Sequence, residues 1–285
     1  MTTPRKVVFP VAGLGTRFLP VTKAVPKEML PILDRPCIEY VVAEAVEAGM
    51  TDVVFVTSRG KGALEDYFDR SPALEASLEA SGKRELLADV RRVAALARYV
   101  SVRQQEPRGL GHAVLCAEAA VGREPFAVIL PDDIVDATRP CLGQLLDVWG
   151  ETGGAVVALK EVPRPDTKRY GICAGPMVRH DLMRVEAMVE KPAPEEAPSL
   201  FSIVGRYILP PEIFDEIRRS PAGALGEIQL TDAIARLPLV HGLQFQGAHF
   251  DTGNPVGLLT AAIHFGLKHP TLAGATQAAL ARFRQ

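Results

Sequence analysis

The stretch KVVFPVAGLGTRFLPVTKAVPKEMLP (residues 6–31) decides how the rest of the chain is read. It opens on β-branched and aromatic residues, the texture of a buried strand, and passes directly into a turn built around Gly13 and Gly15. That order opens many nucleotide sites, yet two common phosphate-binding signatures are absent. A P-loop requires Gly-x-x-x-x-Gly-Lys-Ser/Thr, and no lysine and hydroxyl follow at that spacing. The dinucleotide fingerprint requires a third glycine where this chain has Phe18. What the loop has instead is Arg17, Lys23 and Lys27 close together.

Outward from this stretch, short apolar runs alternate with helical patterns. PCIEYVVAEAVEAG (residues 36–49) puts Ile38, Val41, Val42, Ala45 and Val46 on one helical face, with Pro36 in the first turn and Gly49 at the end. DVVFVT (52–57) reads as the next strand, followed by a helix through Leu64 and Phe68 and a charged helical segment over about residues 73–97. YVSVRQ (99–104), GLGHAVLCAEAAV (109–121) and FAVILPDD (126–133) continue as strand, helix and strand. This alternation predicts an α/β fold: a Rossmann-like mixed, mainly parallel sheet flanked by helices. Beyond about residue 136 strand-like pieces crowd together: GAVVALKEV, YGICAG, MRVEAMVEK and FSIVGRYIL. They predict an inserted smaller antiparallel sheet. Helices return at PEIFDEIRR, IQLTDAIARL and PVGLLTAAIHFGL. With no internal repeat and no clean linker, the expectation is one domain over residues 1–285. Its nucleotide half covers about 1–135 and a second, more antiparallel half about 136–285.

Composition narrows the function. The 285 residues are 47% hydrophobic, enough for a buried core, and the formal net charge of -2 argues against a general binder of nucleic acid or membrane surfaces. Any positive field for an anionic ligand must be local. Cys37, Cys116, Cys141 and Cys173 lie far apart and form no Cys-x-x-Cys pair, so they read as buried reduced thiols of a cytoplasmic protein. MTTPRKVVFPVAG lacks a signal-peptide core, and VGLLTAAIHFGL is too short to span a bilayer.

In open α/β sheets ligands collect at the carboxyl ends of the strands. Those ends carry AGLGTR, RQQEPRGLGHA and LPDD. Gly13 and Gly15 allow close approach of backbone N–H groups to phosphate, Arg17 adds a planar fork of donors, and Lys23 and Lys27 add point charges. Asp132, after a buried run, is either a helix cap or a magnesium ligand, because magnesium takes only one or two protein carboxylates. Asp251 in FDTGNP would be the second, or a turn residue. Glu190 and Lys191, at the start of the proline-rich EKPAPEEAPS, are a surface ion pair unless the strand ends there.

Together these motifs resemble the bacterial UTP–glucose-1-phosphate uridylyltransferases, within the sugar-nucleotidyltransferase superfamily. PVAGLGTRFLPVTKAVPKEMLP, GLGHAVLCA, AVILPDD, VEKP, IVGRY and GEIQLTDAI are similar to that family's blocks and stand in the same order, from about residue 6 to 268. The resemblance implies that UTP and glucose 1-phosphate are converted to UDP-glucose and pyrophosphate. By position, Ala12, Gly13, Gly15 and Glu28 would contact the nucleotide, with Gln104 and Gly109 against the uracil. Arg17 and Lys27 would hold phosphates. Gly171, Glu190 and Val204 would line the glucose, Lys191 would contact the sugar phosphate, and Asp132 and Asp251 would bind Mg2+. The family also implies a homodimer or homotetramer.

The chemistry is consistent with the residues themselves. A sugar phosphate is already ionised at neutral pH and needs alignment and charge relief rather than a general base. No Ser-His-Asp or Cys-His pattern is evident, and His112 reads as structural. A thymidylyltransferase differs by one methyl on the base, worth about 1–3 kcal/mol in a pocket, so the sequence leaves the UTP-to-dTTP ratio open. A non-catalytic regulatory paralogue would have lost a ligand, whereas Asp132, Asp251, Lys27 and Lys191 are all present. A nicotinamide-dependent dehydrogenase fails on the missing glycine.

Overall fold

The computed structural model describes residues 2–221, 223 and 226–283. From β1 (Lys6–Pro10) the chain passes through a small hairpin, β2 (Pro31–Ile32) and β3 (Arg35–Pro36), into α1 (Cys37–Glu47) and β4 (Asp52–Thr57). Three helices, α2 (Gly62–Phe68), α3 (Pro72–Ala80) and α4 (Arg84–Ala94), lead to β5 (Arg98–Arg103). Then come α5 (Gly109–Cys116), α6 (Glu118–Val121), β6 (Phe126–Ile129) and β7 (Asp133–Asp136). After α7 (Cys141–Thr152) and β8 (Ala155–Glu161) follow β9 (Gly171–Ala174), β10 (Met177–Arg179), β11 (Leu182–Arg184), β12 (Ala187–Glu190) and β13 (Phe201–Leu209). The remainder is α8 (Ile213–Arg219), α9 (Leu230–Ile234), β14 (Val240–Gln244), β15 (Ala248–Asp251), α10 (Pro255–Lys268) and α11 (Ala273–Arg282).

The large sheet runs β10-β11-β14-β8-β13-β6-β1-β4-β5, with β9 paired to β13 and β12 to β9. Strands β14, β8, β6, β1, β4 and β5 share one direction, while β13 lies reversed between β6 and β8. The mixed, mainly parallel sheet and the small antiparallel additions therefore stand as the sequence predicts. Alternation along β1 explains the unbroken apolar run: Val7 and Phe9 enter one core layer and Val8 the other.

Several boundaries differ. The charged helical segment is two helices, because Ser81, Gly82 and Lys83 interrupt it and Gly82 turns at φ 68°. MRVEAMVEK is two strands, and GLGHAVLCAEAAV is split at Ala117. Pro36 stands just before the first helical turn, in extended conformation. Helix α7 is absent from the sequence reading because Gly143 and Gly150 dilute its pattern. It is fixed from outside: Leu142 N–H donates 3.0 Å to Glu44 on α1, and Glu44 in turn pairs at 2.7 Å with Arg206, a fully buried side chain on β13. Strands β7, β14 and β15 and helix α11 were also unforeseen. No helix among the described residues is long and apolar enough to cross a membrane.

Candidate active site

The parallel strands β1, β4, β5 and β6 end on one side of the sheet, and their following loops enclose a cleft of about 690 Å³. Its walls include Ala12 and Gly13 after β1, Ser58 after β4, Gln104 after β5, Asp132 after β6, and Lys27 and Gly109. A second lobe of about 520 Å³ contains Arg17, Gly171, Glu190, Lys191, Tyr207, Thr231 and Asp251. Gly109 and Asp132 stand in both walls, so the two lobes adjoin.

The glycine-rich loop is held from below by a residue that the sequence reading missed. Lys61, only 6% exposed, donates to Gly13 O at 2.8 Å and to Glu28 Oε2 at 2.7 Å. Its signal was present as a lysine between Gly60 and Gly62 just past a buried strand. Glu28 is itself buried beneath the loop rather than in the cleft wall, and its Oε1 has no partner among the described residues. Burial pushes its carboxyl up, and Lys61 and Lys27 only partly oppose this. Gly15 is likewise outside the wall. Its φ is 66°, and a Cβ there would stand 2.9 Å from Lys27 Cβ, so the glycine makes room for the lysine stem.

Lys27 Nζ donates to Asp132 Oδ2 at 2.7 Å. Burial works against its charge, but Asp132 and then Glu28 outweigh that and hold its pKa above the ordinary lysine value. Asp251 is brought alongside by the two-stranded β7–β15 sheet, in which Asp251 is paired with Asp133. Thr252 fastens the junction, donating from N to Asp132 O at 2.7 Å and from Oγ1 at 2.9 Å. Asp133 faces a brace instead, accepting from Gly205 N at 3.2 Å and lying 2.6 Å from His249 Nε2. Gly253 leaves a gap between the two carboxylates. A Cβ there would lie 2.8 Å from Asp132 Oδ2 and 3.1 Å from Asp251 Oδ1. Two hard oxygen donors converging on one space fit magnesium, which draws its other ligands from water and phosphate. Among the described residues no group of three or more His, Cys, Asp or Glu converges.

In the second lobe the β9–β12 pairing sets Glu190 opposite Gly171. A Cβ on Gly171 would come within 3.1 Å of Glu190 Oε2, so its absence leaves the carboxylate clear. Thr231 Oγ1 donates to that oxygen at 2.7 Å. Arg169 pairs with Asp251 at 2.8 Å and lies over the Tyr170 ring. Lys191 Nζ is 3.2 Å from Glu190 Oε1. Val204 is not brought here: its side chain is 3% exposed and packs in the core.

Residues 6–265, which build these loops and both lobes, match the family model described as nucleotidyl transferase. The chain belongs to that family. UTP–glucose-1-phosphate uridylyltransferase of Bacillus subtilis (strain 168) is 47% identical over 275 residues, covering 95% of this chain and 94% of the relative. The enzyme of that name from Staphylococcus epidermidis is 47% identical over 94% of each chain. Among solved structures, a UTP-bound UGPase from Acinetobacter baumannii superposes with a TM-score of 0.90 at 41% identity, over 97% of this chain and 98% of that one. A UDP-glucose pyrophosphorylase complexed with UDP-glucose gives 0.86 at 39% identity, over 93% and 100%. Within the family, the chain is one of the UTP–glucose-1-phosphate uridylyltransferases.

Proposed function

We propose that this chain transfers a uridylyl group from UTP to glucose 1-phosphate, releasing pyrophosphate and forming UDP-glucose, as a cytoplasmic homo-oligomer. The observation that carries this reading is the shared wall. Asp132, with Lys27 bonded to it, stands where the two lobes meet, so a nucleotide in one and a sugar phosphate in the other would react there. The similar UGPase solved with UTP and the similar UDP-glucose pyrophosphorylase solved with UDP-glucose support it.

In this scheme an oxygen of the sugar phosphate attacks the α-phosphorus of UTP, and the bond from that phosphorus to the bridging oxygen breaks to release pyrophosphate. No side chain has to remove a proton. Lys27, and Arg17 from the second lobe's side of the junction beside Gly253, offset charge on the nucleotide phosphates, and Lys191 does so for the incoming phosphate. Glu190, oriented by Thr231, accepts hydrogen bonds from sugar hydroxyls. Asp132 and Asp251 are the residues that would hold magnesium, which supplies charge neutralisation and a template for phosphate oxygens. The test is pyrophosphate release with glucose 1-phosphate and UTP, dTTP, CTP, ATP or GTP, with and without magnesium. UTP should be fastest and metal-dependent. Failure of folded protein to release pyrophosphate with any of these nucleotides would overturn the reading.

A further inference from the structure

The first lobe presents Gln104, whose side-chain amide looks the same in shape whichever way round it sits. Two contacts decide its orientation. One end of the amide lies 3.2 Å from the carbonyl oxygen of Gly109, which can only accept, so that end is Nε2. The same nitrogen lies 3.1 Å from His112 Nδ1, one turn along α5. Both N–H groups of Nε2 are then used within the protein, provided His112 Nδ1 is the unprotonated ring nitrogen. His112 Nε2 then carries the hydrogen and points towards Cys116 Sγ, 3.9 Å away, a weak acceptor. The amide oxygen of Gln104 has no hydrogen-bond donor among the described residues, and the residue stands in the cleft wall. Helix α5 is anchored for this purpose at close range: a Cβ on Gly109 or Gly111 would come 2.8 Å from Ile228 O, so the segment carrying His112 lies against the backbone of residue 228.

We propose that His112 is a positioning residue for base selection: with the Gly109 carbonyl, it holds the Gln104 amide so that an oxygen rather than a nitrogen faces the base. This rests on the reading that the first lobe takes a uridine nucleotide. A fixed acceptor suits the N3–H of uracil. Cytosine has a lone pair at N3, which an amide oxygen repels and to which an amide N–H would donate. His112 thereby separates UTP from CTP without touching either.

The test compares His112→Phe, which removes the acceptor at similar size, with His112→Gln, which can restore one. For His112→Phe the UTP-to-CTP ratio of kcat/KM should fall roughly five- to tenfold, the scale of one neutral hydrogen bond. The loss should lie in the KM for UTP, with the KM for glucose 1-phosphate unchanged. His112→Gln should return the ratio towards that of the unaltered protein. An unchanged ratio in folded His112→Phe, or equal losses in both variants, would overturn the proposal. Nitrogen-15 NMR of the unaltered protein decides the same point without a substitution, since finding the hydrogen on Nδ1 of His112 would overturn it. Absence of UTP turnover in the unaltered protein would instead fell the underlying functional reading, leaving the tautomer to decide the orientation of Gln104.

Discussion

Lys191 adopts φ 48°, a left-handed conformation that costs a non-glycine residue free energy. The turn falls directly after β12 ends at Glu190, and it lets two consecutive side chains line one lobe instead of alternating across a sheet. Lys191→Ala should lower turnover by about 10²–10³, the scale of a lost transition-state donor, in a steady-state pyrophosphate assay; unchanged turnover would remove Lys191 from the site. Thr231→Val tests orientation rather than charge. Removing its bond to Glu190 should raise the KM for glucose 1-phosphate about five- to tenfold and leave that for UTP alone, whereas a rise in both would mean general damage. At this scale the cleft residues Gly13, Arg17, Lys27, Asp132, Glu190 and Lys191 were legible because their chemistry is unusual at a strand end. Lys61 and Thr231 were not, since their partners lie far away in sequence.

Between elements, buried charge does the fastening. Glu75 on α3 accepts from Arg70 and from Arg91 on α4, and these bonds hold its carboxyl down to about 2, against an ordinary 4.5. A depressed carboxyl stabilises the fold above its unfolded pKa, and that contribution is lost as pH falls through the folded value. Between pH 4.5 and about 2 the melting temperature should therefore fall more steeply for the unaltered protein than for Glu75→Gln, and parallel curves would sink the assignment. The Arg206–Glu44 pair behaves differently because both partners are buried. Arg206→Ala leaves an uncompensated carboxylate and should cost about 3–5 kcal/mol, read from urea unfolding. Glu44→Leu combined with Arg206→Met should recover part of the loss, though not the hydrogen bond at Leu142. Strongly patterned elements such as β1, α1, β4 and β13 were readable from periodicity alone. Helix α7 and the β7–β15 pair were not: α7 carries two glycines among its apolar residues, and the β7–β15 pair joins short segments more than a hundred residues apart.

On the scale of the molecule, one sheet runs across residue 135, where the texture of the sequence changes. Strand β13 has a register shift between Val204 and Tyr207. The strand pairs with β8 on both sides of the shift; on its other edge it pairs with β9 at Phe201 and Ser202, beneath the lobe that holds Glu190, and from Arg206 onward with β6, which leads to Asp132. A break after residue 135 would strip β6 of this neighbour and leave an apolar strand with an open edge, a template for aggregation. Residues 1–135 and 136–285, produced separately, should each be insoluble, and produced together they should reassemble with recovered activity. Soluble, independently folded pieces would contradict this. The two lobes are thus not exchangeable modules: recombination that swapped a sugar pocket from one relative to another would have to carry β13 and its contacts on both sides, so a change of sugar or base is expected to arise by point substitution within an inherited whole.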